Sequence, residues 1–376
     1  MNKNVSMKTV ITFAGAVVAF LIGSGFATGQ EVLQYFASYG YWGIAGALLT
    51  LVLLIYVCSS FLVVGRRENF ERGSDIYKYY CGNKLGIFFD YFSTFFCFLS
   101  FTVMISGAGA TLNQHYELPV YVGGILIAVL ALITVLMGLS RIVDVIGKIG
   151  PAIVIISILL GVVSIFQNFG NLSPNVVLPA LEELEASGSL MKASTNWGFA
   201  AFSYVGFCML WLAGFLASMG AKAQSEKEAS LGGVWGASAF AIAVIIVALG
   251  LLGCIKVVAG SQIPNLHLAK NIHPALASVF AVIIIAGIYT TAVPLLWNVS
   301  SRFTKDGSKN FRILTVVLAL VGAFIGLALP FAKLVNIVYV INGYVGAVLL
   351  FIMFGRSLIK IFGKKESKVK SEDMKA

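Results

Sequence analysis

The sequence predicts an all-α integral membrane protein of about ten transmembrane helices, arranged as two inverted sets of five, with the first and sixth helices discontinuous. Three observations carry this prediction. The 376 residues are 59% hydrophobic and only 11% charged, and the mean hydropathy of +0.93 is far above what a soluble domain of this length sustains. Apolar stretches of about 20 residues, enough to cross a bilayer as a helix, recur along the chain. The first of them is interrupted at its centre by Ile22-Gly23-Ser24-Gly25-Phe26-Ala27-Thr28-Gly29-Gln30-Glu31.

That run sets the expectation for the first span. A continuous apolar helix hides its backbone polar groups from lipid, whereas a glycine-rich stretch unwinds and exposes them. Interrupted membrane helices line binding sites. The stretch begins near Thr9, outruns a secretory apolar region, and carries Gln30 and Glu31 where a small-residue cleavage site would stand. It reads as a retained helix, not a signal peptide.

The spans follow at 9–37, 41–64, 85–114, 119–139, 142–168, 197–220, 232–258, 275–301, 310–330 and 333–355. With the N-terminus in the cytoplasm, all but four of the 26 Lys and Arg residues (Lys192, Lys256, Lys270 and Lys333) fall on the inner side. This asymmetry places both termini in the cytoplasm. Because five is odd, a second set of five must run opposite to the first, so 9–168 and 197–355 read as inverted repeats within one domain, 1–355. The sixth span opens the second repeat and holds Asn196, Gly198, Ser203, Tyr204, Gly206 and Gly214. A second break is expected there, although glycines of this kind also serve close helix packing.

The connections fit the same plan. Residues 66–84 suit a surface helix on the inner side. The outer segments 171–195, with Glu182, Glu183 and Glu185, and 261–274, with two prolines and two histidines, are candidate lids. Residues 356–376 form a basic cytoplasmic tail whose Lys/Glu/Ser-rich end is too polar to bury and is expected to lie disordered near anionic headgroups. The five cysteines, Cys58, Cys81, Cys97, Cys208 and Cys254, lack metal-ligand spacing and read as packing residues.

Several function classes are disfavoured. The net charge of +10 is explained by its inner-side placement and not by a nucleic-acid surface. No GxxxxGK[ST] phosphate loop, HExxH or GxSxG is present, and His115, His267 and His273 lie in expected outer loops. Neither an ATP-driven pump nor an intramembrane enzyme fits. No pore-loop repeat speaks for a channel.

With its GSG-centred first helix, glycine-rich sixth helix, 5+5 plan and adjacent hydroxyls Thr290-Thr291 in the eighth helix, the chain resembles the LeuT-type fold of the amino acid-polyamine-organocation transporter superfamily. The run GSGFATGQE most resembles the YkvI-like bacterial membrane proteins. The resemblance implies that backbone amides at Gly23, Ser24 and Gly25 receive a substrate carboxylate, with Phe202, Ser203, Tyr204 and Gly206 opposite them. Ser100, Thr102 and Ser106 on the third helix would complete the wall. For the coupling ion it implies an all-oxygen Na+ cage of Thr290, Thr291 and the carbonyls of Ala19, Ile22 and Gly287, a donor set suited to a hard cation. It also implies a competing arrangement, in which the amine of Lys148 fills the same cage and proton loss replaces ion release.

Plainer readings stand beside these. Thr290 and Thr291 can hydrogen-bond carbonyls one turn earlier, and Lys148 can be a positive-inside residue. Glu31, one turn past the break, is expected to face a vestibule or a partner: a substrate amine, a proton path, or a gate through Gln30 and Asn342 or Tyr344. Asp90 is expected to cap or to pair with a loop arginine, and Asn298 and Asn336 to fasten helices. The resulting expectation is a bacterial inner-membrane secondary transporter, not an enzyme, for a small amino acid or related solute. It would be coupled to Na+ or H+ and need no cofactor beyond that ion. A solute-binding receptor on the same fold, of the spore-germinant type, is the alternative.

Overall fold

The computed structural model describes the backbone of residues 5–137 and 139–373, and the side chains of those residues apart from 139–152 and 360–373. The first expected span is three helices: α1 (Met7–Leu21), α2 (Ser24–Thr28) and α3 (Gln30–Tyr35). There follow α4 (Tyr41–Glu68), α5 (Asp75–Tyr116), α6 (Val120–Leu136), α7 (Leu139–Gln167), α8 (Pro174–Ala186), α9 (Trp197–Gly220), α10 (Glu226–Gly253), α11 (Ile255–Val258), α12 (Pro264–Ile272), α13 (Pro274–Phe303), α14 (Lys309–Ala328) and α15 (Phe331–Asp373). Among the described residues there is no strand. Seven helices among the described residues are long and apolar enough to cross a membrane, and the shorter apolar helices Met7–Leu21, Val120–Leu136 and Ile153–Gln167 lie where three further spans were expected.

Local chemistry sets the helix ends. Side-chain oxygens of Ser6, Asn196, Ser225 and Ser308 accept the amides of Thr9, Phe199, Glu228 and Phe311, each covering an amide that the first turn leaves without a partner. Pro264 and Pro274 open α12 and α13, where a missing N–H does no harm. Gly82, at φ 72°, separates a short piece of α5 from its long body. That piece lies in the segment where a surface helix was expected.

Around the broken first span, α4 packs on α9 and α10, α15 on α9 and α5, and α13 on α5, α6 and α7, while α1 lies against α10. Every residue from 21 to 38 is buried. The opposite distribution holds at the periphery: Ile125, Val129 and Ile133 of α6, and Ile313, Val317, Leu320 and Phe324 of α14, are exposed. Apolar stripes of this extent belong against lipid tails, and the molecule is a multi-pass membrane protein.

One expectation is corrected. The sixth span is not interrupted: α9 runs as one helix from Trp197 to Gly220. Its glycine serves packing. A Cβ on Gly206 would stand 1.9 Å from the Gly343 carbonyl oxygen, and one on Gly346 would stand 1.9 Å from that of Gly206. The two backbones meet there, as small residues allow. The outer segments expected as lids contain α8 and α12. On α8, Glu183 receives a 2.6 Å hydrogen bond from Lys256, which holds its carboxyl below the ordinary value.

Candidate functional site

The break in the first span is built by three glycines, each for a different reason. Gly23 has an extended backbone that any residue could adopt, but a Cβ there would press on the Trp211 ring at 3.3 Å. Gly29 sits at φ 84°, in the left-handed region that glycine reaches without strain. Gly25 makes room for a side chain: a Cβ on it would lie 1.9 Å from Glu31 Oε1 and 2.2 Å from Glu31 Cγ. The Glu31 side chain is therefore folded back over the start of α2, with its carboxylate beside the Phe26 amide.

Freed backbone groups around the break have donors from elsewhere in the chain. Asn265 of α12 donates through Nδ2 to the carbonyls of Phe26 and Ala27, both at 3.2 Å. Thr291 of α13 donates to the Ile22 carbonyl at 3.4 Å and to the Gly287 carbonyl at 3.0 Å. The neighbouring Thr290 donates only to Gly287, at 2.9 Å. The structure thus brings Ile22, Gly287, Thr290 and Thr291 together, with no hydroxyl bond to Ala19. Both threonines make the ordinary one-turn-back bond, and Thr291 adds a second across helices. Lys148 lies outside the residues whose side chains are described.

Beside the break, buried side chains converge from α3, α9 and α15. The Tyr204 hydroxyl donates to Glu31 Oε2 at 3.3 Å. The Tyr35 hydroxyl stands beside Ser203, and that of Tyr339 beside Ser24. Apart from these neighbours, Ser24 Oγ, Glu31 Oε1, and the hydroxyls of Tyr35 and Tyr339 are buried without a hydrogen bond of good geometry. Aromatic rings enclose them. Tyr204 meets Tyr35 at 5.3 Å, Phe36 at 4.9 Å and Phe207 at 4.9 Å, and Phe207 continues to Tyr339 at 4.9 Å and Trp211 at 5.5 Å. Trp211 stacks on Phe96 and donates to Ser100 Oγ at 3.2 Å.

Of the residues expected opposite the break, Ser203 and Tyr204 are in this cluster. Phe202 and Gly206 are not: two residues to either side of Tyr204, they lie on the far face of α9, where Phe202 packs on Phe351 and Gly206 on α15. On the third span, Ser100 reaches the site through Trp211, while Thr102 and Ser106 bond Leu99 and Leu329 carbonyls. Sequence reasoning missed Tyr35, Phe207, Trp211, Tyr339 and Asn265. For Tyr35 a signal was present, since it lies one turn beyond Glu31. For the others, nothing local marks them.

Two closures flank the site. On the face opposite the N-terminus, Asn336 donates to Gln34 Oε1 at 2.9 Å and to the Lys192 carbonyl at 3.0 Å, and Gln34 donates to the Ala332 carbonyl. The partner expected from the first span was Gln30 with Asn342 or Tyr344. The residue found is Gln34, one turn on, and Tyr344 bonds Ser194 instead. Gln114 ties the start of α12 to α5 through Ser261 and Ile263. Burial holds the α12 imidazole of His267 below its ordinary value. On the N-terminal face, the buried Glu228 carboxylate accepts the Ser6 amide at 3.1 Å and the Gln224 amide at 2.7 Å. Asp90 pairs with Arg302 as expected, and Asn298 donates to Cys97.

No family model matches the chain. It is 21% identical over 347 residues to the "Uncharacterized membrane protein YkvI" of Bacillus subtilis (strain 168), an alignment covering 92% of this chain and 94% of that one. It is 23% identical over 344 residues to the "Uncharacterized protein YyaD" of the same organism, covering 89% and 93%. Among solved structures, MhsT in complex with L-phenylalanine matches with a TM-score of 0.60 at 16% identity, over 90% of this chain and 87% of that one. The inward-facing conformation of Mhp1 matches with a TM-score of 0.54 at 14% identity, over 92% and 75%. Both have the LeuT fold, and so does this chain.

Proposed function

We propose that the chain is a secondary transporter, moving a small amino acid or related organic solute across a bacterial plasma membrane by alternating access around the broken first span. One observation carries the reading. Four buried polar atoms that make no hydrogen bond of good geometry, on Ser24, Glu31, Tyr35 and Tyr339, converge beside a backbone break in the middle of the helix bundle. Leaving such groups unsatisfied at that depth costs several kcal/mol in all, on the order of 1–3 for each, and a solute bound among them would supply the missing bonds. That MhsT holds L-phenylalanine on the same fold adds support.

Alternating access needs two closures that open in turn. Asn265, Gln34 and Asn336 would form one, and the Ser6–Glu228–Gln224 latch the other. The carbonyls of Ile22 and Gly287 with the Thr290 and Thr291 hydroxyls offer a hard cation an oxygen-only set, which favours Na+ as the coupling ion. Proton coupling through Lys148 is the competing arrangement. The distribution of Lys and Arg supports cytoplasmic placement of both termini.

The test is flux. Purified protein in proteoliposomes is loaded with an inward Na+ gradient, then with an inward proton gradient, and challenged with labelled amino acids and amines. Gradient-driven accumulation above empty liposomes is the expected result. Saturable binding without flux under either gradient would instead establish the receptor on the same fold.

A further inference from the structure

We infer that the central site takes an organic ammonium ion, with Glu31 as its counter-ion, and that its substrate carries no carboxylate. The inference rests on the transporter reading and narrows its solute from amino acids and related compounds to the amines among them. Glu31 is 1% exposed. Among the described residues no Lys, Arg or His pairs with it; the ion pairs there join other residues. A buried carboxylate lacking a countercharge is strongly destabilising unless a cation or a proton reaches it.

The position of the carboxylate decides which ligand fits. Glu31 already lies at the start of α2, against Gly25 and the Phe26 amide, so a substrate carboxylate would be without those backbone donors. A second carboxylate would meet Glu31 at close range in a low-dielectric site, where like charges repel by several-fold more than in water. An ammonium meets the reverse situation. Glu31 Oε1, Ser24 Oγ and the Tyr35 and Tyr339 hydroxyls lack a hydrogen bond of good geometry and can all accept one. The surrounding Tyr35, Tyr204, Phe207, Tyr339 and Trp211 rings present π-faces, which attract cations most strongly where water is excluded. A carboxylate floor under an aromatic wall is a cation site, and alkyl or arylalkyl amines carry the charge and apolar body that match it.

The experiment uses full-length protein in nanodiscs and pairs of probes that differ only by a carboxylate: L-phenylalanine with 2-phenylethylamine, L-leucine with 3-methylbutylamine, and L-ornithine with 1,4-diaminobutane. Thermal shift and equilibrium binding are read for wild type, Glu31→Gln and Tyr204→Phe. Glutamine matches glutamate in volume, so Glu31→Gln keeps the fold, which size-exclusion chromatography checks. At least one amine is expected to bind ten-fold or more tighter than its parent amino acid. Glu31→Gln should weaken that amine at least thirty-fold, and Tyr204→Phe less than ten-fold. Tighter binding of the amino acids, amine binding indifferent to Glu31→Gln, or no binding by any probe would each overturn the inference. Flux then separates the two proposals. Amines that bind wild type and not Glu31→Gln, yet are never transported, leave the ammonium site standing and remove the transporter. Amino acids that bind and are transported do the opposite.

Discussion

The first span and α9 have similar ingredients, glycines among hydroxyls in an apolar helix, yet one is broken twice and the other not at all. What separates them is the supply of partners. At the first break the Ile22 carbonyl receives Thr291, and at the second Asn265 reaches Phe26 and Ala27. The Glu31 carboxylate covers the start of α2 between them. In a medium without water, a helix opens only where other side chains take up the groups it frees. Beside Gly206 no such donor arrives among the described residues, although the Tyr77 hydroxyl reaches the Leu210 carbonyl one turn on at 2.9 Å, and Gly206 is spent on bringing α15 close. The lesson is that glycine permits a break and distant residues make it.

The comparison is sharpened most by substituting one glycine from each region. At Gly206 a Cβ would strike the Gly343 carbonyl at 1.9 Å and the Ala347 amide at 2.6 Å, both backbone, which cannot swing aside. Gly206→Val is expected to destabilise the fold by about 3 kcal/mol or more, read as loss of a monodisperse peak and a large fall in Tm. A Tm close to wild type would mean that the α9–α15 contact is loose. At Gly25 the obstacle is a side chain, so Gly25→Ala should expel the Glu31 carboxylate while the bundle stays intact. Solute flux should fall at least a hundred-fold with a Tm change well below that of Gly206→Val. Retained flux would detach Glu31 from the function.

How much of this was legible follows the same line. The spans, the charge asymmetry and the interruption near Gly23 were readable because each rests on composition within a single stretch. The Asp90–Arg302 pair and the Asn336 fastening could be anticipated by residue type. The site wall could not. Trp211 and Tyr339 look like any aromatic in an apolar helix, and only the packing of α9 and α15 against the break turns them toward Gly23 and Ser24. The intact α9 was missed for the converse reason: a packing glycine and a breaking glycine are the same residue until the neighbour is known. Phe202 was placed opposite the break by resemblance, but the helical period of an unbroken α9 turns it to the far side.

Smaller effects probe the donors themselves. Asn265→Ala removes the hydrogen bonds to Phe26 and Ala27, with an expected loss of about 1–2 kcal/mol, and it should loosen α12 from the break. Native-state hydrogen exchange would show this as faster exchange confined to residues 24–30 and 261–272. Uniform exchange change across the bundle would instead make Asn265 an ordinary packing residue.

The least perturbing test separates two adjacent threonines. Thr290 bonds only the Gly287 carbonyl, which the α13 ladder already supplies with an amide donor, so Thr290→Val should cost a few tenths of a kcal/mol at most. Thr291 also bonds the Ile22 carbonyl, which lies at the end of α1 with no following turn to serve it. Thr291→Val should therefore cost about 1 kcal/mol, since a freed acceptor is left at the break. If Na+ couples transport, Thr291→Val should also abolish any stabilisation by NaCl over choline chloride, because binding to the folded state raises Tm by mass action. Equal shifts from the two variants, with sodium stabilisation unchanged, would show that the contact between α13 and the break contributes nothing, and that the first span opens on the strength of Asn265 and Glu31 alone.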